Sequence, residues 1–426
     1  MRSLSPIASL LSLRNVEGWK RQVALVCLAQ GTASIGWAFM HPFYPIFIQE
    51  ELGVDSVEDA AFWAGVTSGI FALFMGLAGP FWGHLADTYG RKPMLIRAYF
   101  AGALVLLLSG LITNVGQLVG VRILHGGVSG SVGAAMALAG SYVPSSRLPL
   151  TVGLLQFTSY FSITISPFIG GQLIEIFGFR TTYFISSGFV ATACLVILLF
   201  VRESFQRPEG KRRATLSLFS ETRQVLATKG LLPALLFVPI IQGAPTLLQP
   251  VAPGFIQSIT GADEVILGTG LAFGVLGFTS GVSAILVGRL GSRLNLRTVL
   301  IVSCFGASLA LLPQFFNHRF YIFVLLFALS GLCNGAMLTS LSSIVGLMLP
   351  KQHLGAAFGV LNSASAMAWG LGPLTGGALA WSIGHRRVFL VESIVLAAAA
   401  ASIAGVFKGI RVQRPSPARA PSPSEG

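Results

Sequence analysis

The sequence predicts an all-α integral membrane protein, with twelve transmembrane helices forming two six-helix bundles. Three observations carry that prediction. Of 426 residues, 53% are hydrophobic and 10% charged, and the mean hydropathy is +0.76, whereas soluble domains carry roughly a quarter charged residues. Apolar stretches long enough to cross a hydrocarbon core of about 30 Å as helix recur along nearly the whole chain. The second half also repeats landmarks of the first at a spacing of 205 or 206 residues.

The apolar runs cover about 22–48, 62–84, 94–113, 116–142, 150–174, 180–201, 230–257, 265–287, 298–316, 319–347, 354–381 and 387–407. Their length and lack of strict alternation favour helices over barrel strands. The first follows Arg14, Lys20 and Arg21, but it is too long for a leader and lacks an A-x-A-like cleavage site, so it reads as helix 1. Cys27, Cys194, Cys304 and Cys333 lie singly in apolar runs and suggest neither disulfides nor a metal site.

Cations set the expected topology. With a cytoplasmic N-terminus, that side collects Arg2, Arg14, Lys20, Arg21, Arg91, Lys92, Arg97, Arg147, the cluster from Arg202 to Lys229, Arg289, Arg293, Arg297 and Lys351. The opposite face keeps Arg180, Arg319, Arg386 and Arg387, with the acidic run Glu50, Glu51, Asp55, Glu58 and Asp59. This is the positive-inside pattern, and it places both termini in the cytoplasm. The net charge of +13 follows from the same rule and from attraction to anionic lipid, without a nucleic-acid partner.

The repeat sets the domain organisation. At a spacing of 205, Gly83 and Leu85 fall on Gly288 and Leu290, Lys92 falls on Arg297, and Ser292 replaces Asp87. At the same spacing Gly126 and Gly130 fall on Gly331 and Gly335. At 206, Pro167, Gly170, Gly171, Gly178 and Arg180 fall on Pro373, Gly376, Gly377, Gly384 and Arg386. The expected segments are a cytoplasmic N-terminal segment (1–21), a six-helix bundle (22–202), a basic cytoplasmic linker (203–229), a second bundle (230–408) and a disordered tail (409–426). Two such halves around a midplane site are an arrangement of alternating-access transporters.

"GHLADTYGRKP", residues 83–93, packs Asp87, Arg91 and Lys92 between helices 2 and 3. Gly83 and Gly90 are expected to allow a tight reversal, and Pro93 suits the first turn of the next helix. Asp87 could cap a helix N-terminus or pair with Arg91, holding two helix ends in one conformation; a solvated turn is the alternative. The stretch resembles the loop motif G-x-L-a-D-r-x-G-r-k of the major facilitator superfamily, a resemblance that covers about 20–408. "RILHGG" in helix 4, with Arg122 and Gly126, is similar to the R-x-x-q-G motif of its drug:proton antiporter branch. "SPFIGG" in helix 5 is similar to G-P-x-x-G-G, and "HPFYP" in helix 1 to a paired-proline motif of the twelve-helix members.

The resemblance implies a secondary active transporter, with Gly83, Asp87, Gly90, Arg91 and Lys92 as a conformational gate. It also implies Arg122 in proton movement, and Pro167, Gly170 and Gly171, duplicated as Pro373, Gly376 and Gly377, as a helix-bending antiporter motif. Two departures stand out: Ser166 replaces the glycine before Pro167, and helix 1 lacks an embedded carboxylate.

Ionisable side chains inside a bilayer are costly enough to be functional candidates by default. Arg122 could also snorkel or bond a carbonyl. Glu392 lies close in sequence to Arg386 and Arg387 and reads as their interfacial ion-pair partner ahead of a proton carrier. His41 and His125 could titrate near neutrality but also read as simply hydrogen-bonded. Candidate wall residues of a substrate cavity are Trp37, Phe157, Tyr160, Gln242, Asn334, Asn362 and Trp369. Aromatic surface with sparse amides suits bulky apolar or weakly cationic organic molecules.

The expected function is proton-driven export of such compounds by a monomer in the bacterial cytoplasmic membrane, with no cofactor beyond the proton gradient. Its partners are then a small organic substrate, protons and the lipid bilayer. A metabolite facilitator or importer is the alternative. A membrane-embedded enzyme is disfavoured, since the chain has no Walker A loop, H-E-x-x-H or G-x-S-x-G.

Overall fold

The structure, a computed structural model, describes residues 18–143, 148–203, 231–290, 294–348 and 354–406. Among them there is no strand. We number the membrane helices α1 to α12. Helix α1 is broken into Gly18–Ala38 and Tyr44–Glu51 by a 3₁₀ turn at His41–Phe43. It is followed by α2 (Val57–Tyr89), α3 (Arg91–Ser109) and α4, broken into Val115–Val128 and Ser131–Tyr142. Helices α5 and α6 share the run Leu148–Phe200, which Gly178 interrupts with φ 77°.

The second half opens with α7, broken into Leu231–Leu247 and Ala252–Thr260. Then come α8 (Val265–Leu290), α9 (Leu296–Leu311, with a 3₁₀ extension Leu312–Phe315), α10 (Phe320–Met348), α11 (Leu354–Ile383) and α12 (His385–Val406). Nine helical segments among the described residues are long and apolar enough to cross a membrane; Gly153–Phe200 holds two crossings. With α7 and α11 they make the twelve expected.

The elements differ from the sequence reading where prolines and glycines act. Pro42 and Pro45 lie at the break in α1, and Pro250 and Pro253 at the break in α7; proline removes a backbone donor and cannot continue a regular helix. Gly83 does not take part in a reversal. It lies inside α2, and the chain turns at Gly90 alone, with φ 101° and its N–H donating to the Ala86 carbonyl at 3.1 Å. Pro93 falls in the first turn of α3 as expected.

Within the halves, α1 packs on the α5–α6 run, α2 on α4 and α3 on α6, and in the second half α7 packs on α11, α8 on α10 and α9 on α10 and α12. Between the halves the principal seams are α2 with α11 and α5 with α8. The repeat is visible in three dimensions. Gly178 and Gly384 share a positive φ, 77° and 82°. Two residues on, Arg180 donates to the Gly110 carbonyl at the end of α3 (3.3 Å), and Arg386 to the Asn317 carbonyl beyond α9 (2.6 Å). Arg180 also pairs with Glu51 at 2.8 Å, so each half is tied across its loops by a duplicated arginine. Leu104, Leu107, Leu195, Leu199, Phe305 and Leu309 are exposed on α3, α6 and α9, as hydrocarbon-facing surface requires.

Candidate functional site

The proline-glycine pairs divide their labour in the same way in both halves. A methyl built on Gly170 would collide with the Phe39 carbonyl at the break in α1, and one on Gly376 with the Leu247 carbonyl at the break in α7. The second glycines face the other half: Gly171 lies against Gly270 of α8, and Gly377 against Ala61 and Gly65 of α2. Small residues thus let backbones approach where side chains could not fit. Ser166, the departure from the motif, is buried and donates its hydroxyl to the Ser162 carbonyl at 2.5 Å. Such back-bonding bends helices, here beside the donor that Pro167 removes.

Among the described residues the seams close at one end only. Along α2 one face carries Ala61, Gly65, Gly69, Ala72, Gly76, Gly79 and Gly83 at helical spacing. Gly65 and Gly69 meet Pro373 and Leu374, whereas a methyl on Gly76, Gly79 or Gly83 would meet nothing within 4 Å. Helix α8 repeats this: Gly270, Gly274 and Gly277 touch Pro167, Phe168 and Thr164, but Gly281 and Gly288 are open. On α5, Gly153 is open and Phe157 is 57% exposed, stacked on Phe161. The halves therefore part into a cleft that widens toward the face bearing Gly18 and Val406.

At the closed end of the cleft a small cavity lies between the halves, lined by His41, Tyr44, Pro45, Ala64, Ser68, Gln249 and Pro250. Tyr44-Pro45 and Gln249-Pro250 are duplicates at a spacing of 205, each at the break of its helix. The sequence reading missed this pair, although carrying the 205 spacing back from Gly83 into helix 1 finds Pro45 on Pro250. Behind Tyr44 sits Arg122, only 4% exposed, its Cζ 3.8 Å from the Tyr44 ring centroid and 5.8 Å from that of Phe71. The arginine does not snorkel. One turn on, His125 packs on Phe71 at 4.6 Å and Trp37 at 6.1 Å, and His41 on Tyr44 at 6.4 Å. Arg122, His41 and His125, read separately from sequence, thus form one cluster.

The loop motif holds its own bundle together. The Glu203 carboxylate, just past α6, accepts the N–H groups of Arg91 (2.9 Å) and Lys92 (2.8 Å), capping α3. Arg91 donates to the Ala137 carbonyl of α4, and Lys92 to the Leu198 carbonyl of α6. The cap expected of Asp87 is thus supplied by Glu203, which the sequence reading had assigned to the linker; the Asp87 side chain lies outside the described residues. Nearby, Arg97 stacks on Trp82 at 3.4 Å, and Trp82 donates to the Gly127 carbonyl at 2.6 Å, beside the Ser129–Gly130 break of α4. Charged caps of this kind contribute about 1 to 3 kcal/mol. Glu203→Ala should therefore lower the melting temperature of the purified protein, with Glu203→Gln partly restoring it; an unchanged melting curve for Glu203→Ala would make the cap energetically idle.

Glu392 departs from its sequence reading as an ion-pair partner. It is 3% exposed, and its Oε2 has no hydrogen-bond partner among the described residues. Arg386 bonds the Asn317 carbonyl and His318 instead, and Arg387 the Ile383 carbonyl. Helical geometry explains this, because positions five or six apart do not share a face as i,i+3 and i,i+4 do.

The wall candidates scatter. Trp37 is half-buried inside the first bundle against Gly102. Asn334 shares a cavity with Glu392, Gln242 is half-buried on α7, and Trp369 is 41% exposed on α11. The side chains of Tyr160 and Asn362 lie outside the described residues.

Comparison with known proteins agrees with this architecture. Residues 26–268 and 244–426 each match the description Major Facilitator Superfamily. The multidrug resistance protein MdtG of Proteus mirabilis is 31% identical over 89% of this chain and 94% of its own; MdtG of Enterobacter lignolyticus is 29% identical over 89% and 90%. The multi-drug resistance efflux pump PmrA of Streptococcus pneumoniae is 29% identical over 89% and 94%. Among solved structures, a bacterial homolog of the human lysosomal transporter Spinster, inward-facing and unoccupied, superposes with a TM-score of 0.74 at 16% identity, covering 95% of this chain and all of that one. The nucleoside transporter NupG gives 0.74 at 12%, covering 92% of this chain and all of its own. With duplicated bundles, seams through α2–α11 and α5–α8, and matches in both halves, the chain belongs to the Major Facilitator Superfamily.

Proposed function

We propose that this transporter exports bulky apolar or weakly cationic organic molecules from the cytoplasm by alternating access, driven by proton entry. The observation that carries the reading is the one-ended cleft: the same glycine faces are sealed at one end and uncovered at the other, so opening and closing needs only a rocking of the halves about their seams. With the termini cytoplasmic, as the cation asymmetry expects, the cleft opens inward, where a substrate would enter. Names of relatives at about 30% identity, multidrug efflux proteins, support the substrate class, as does the aromatic surface at Phe157 and Phe161. One chain supplies both halves of the cleft, so a monomer in the bacterial cytoplasmic membrane suffices.

Inverted vesicles with an imposed pH gradient should accumulate ethidium, and collapse of the gradient should release it; accumulation indifferent to the gradient would favour a facilitator. Single cysteines near Asp55 and Lys211 should be labelled by impermeant reagents from opposite sides. Labelling of both from one side would overturn the orientation.

A further inference from the structure

The second bundle holds a buried carboxyl group that the seams and the Arg122 cluster do not use. Glu392 of α12 faces a cavity walled by Ala244, Pro245 and Leu248 of α7, Leu311 of α9 and Asn334 of α10. Two polar oxygens of its lining residues have no hydrogen-bond partner among the described residues, Glu392 Oε2 and Asn334 Oδ1. The remaining wall is apolar but for Ser330, whose hydroxyl donates to the Phe327 carbonyl, and the space admits about one water molecule. An amide oxygen and a carboxylate oxygen only accept. A water or a turned Asn334 amide can donate to the carboxylate, but either leaves its charge without a cation in the cavity, whereas a carboxylic acid donates its own hydrogen and leaves no charge there.

We propose that Glu392 binds the coupling proton, held as a carboxylic acid with Asn334 as its acceptor while the cavity is dry. This rests on the proton-driven reading above. Among the described residues no neighbouring cation provides an alternative. Arg386, Arg387 and His385 on α12 turn to Asn317 and His318, Ile383, and Glu58 respectively. Arg297 of α9 bonds the Ala404 carbonyl, twelve residues or about 18 Å further along α12. Cys304 of α9 and Cys333 of α10 do not line the cavity, and α7 and α11 bring no charged side chain to it.

The position also links the proton to the seam. A carboxylate does not remain in this cavity without water or a counter-charge, so the proton leaves only when water reaches Glu392. A displacement of α7 from α10 widens this cavity to water. Pro245 lines the cavity, and the next residue, Thr246, places its hydroxyl 3.2 Å from the Ala368 carbonyl of α11, the helix that seals against α2. Release of the proton as hydronium and displacement of α7 against α11 are then one event.

The infrared part of the test needs no known substrate. Purified full-length protein in lipid nanodiscs should show, in infrared spectra at neutral pH, a protonated-carboxyl band that is lost in Glu392→Gln and shifted in Asn334→Leu. Absence of such a band, or its persistence in Glu392→Gln, would overturn the proposal. In proteoliposomes, ethidium-induced proton movement should fall at least about tenfold in Glu392→Gln, and ethidium binding should lose its dependence on pH. Wild-type proton movement in that variant would also overturn it. If the wild type itself moves no protons with substrate, the export reading fails, while the infrared band still decides whether Glu392 carries a proton.

Discussion

Gly377→Val should leave the transporter inserted in the membrane but unable to seal the face opposite its termini, with net transport lost. The added atoms have nowhere to go: a methyl at this position already stands 2.5 Å from the Ala61 carbonyl oxygen and 3.2 Å from the Gly65 Cα, both backbone atoms of α2. Overpacking of this kind costs about 1 to 3 kcal/mol, and that cost falls only on the conformation in which α2 and α11 touch. The equilibrium should therefore shift about 5- to 150-fold away from it. Gly188→Val is the control. It is exposed on α6, away from both seams, with nothing within 4 Å among the described residues, and should transport at a rate close to wild type. A cysteine at Ser68, which lines the cavity at the closed end, should gain reactivity toward an impermeant reagent from the opposite face in Gly377→Val. Unaltered reactivity together with unaltered transport would mean that the seam yields elsewhere, and that the proline-glycine pair is ordinary packing.

What was legible in sequence was what is periodic or local. Hydropathy marked the spans, and the 205–206 spacing paired glycines that turn out to make equivalent contacts, because a duplicated fold places duplicated residues in equivalent surroundings. The paired prolines were visible in helix 1, but not their effect of breaking α1 and α7 at equivalent points. Contacts between distant residues were hidden. Glu203 caps α3 from more than 100 positions away, and no local pattern distinguishes it from the linker charges that follow. Glu392 misled through proximity: its nearest cations in sequence point around the helix from it, while the amide that faces it, Asn334, lies on another helix. His41 and His125 gained meaning only once the broken helix α1 was brought against α4, placing both beside Arg122. Arg97 was read as one of the cytoplasmic cations, yet it stacks on Trp82.

On the proton-driven reading, Arg122→Ala should reduce export at least about tenfold, a loss of about 1.4 kcal/mol or more, while equilibrium substrate binding changes little. The guanidinium lies on the Tyr44 ring at 3.8 Å, nearly sealed from solvent, and desolvated stacking of this kind contributes about 2 kcal/mol. That contact ties α4 to the second piece of α1, whose Tyr44 lines the cavity between the halves. Removing the guanidinium frees Tyr44 at the point where the bundles separate, and removes the fixed charge beside His41 and His125. Arg122→Lys should rescue only in part, since lysine keeps a charge but loses the planar group that stacks. The partner residue separates the ring's role from its hydroxyl: Tyr44→Phe retains a ring face and should transport at nearly the wild-type rate, whereas Tyr44→Leu should resemble Arg122→Ala. The measurement is substrate-induced proton movement in proteoliposomes alongside equilibrium binding, at equal protein content and several pH values. Wild-type coupled flux in Arg122→Ala would remove the arginine from the mechanism, and equal loss in Tyr44→Phe and Tyr44→Leu would place the function in the hydroxyl rather than in the stack.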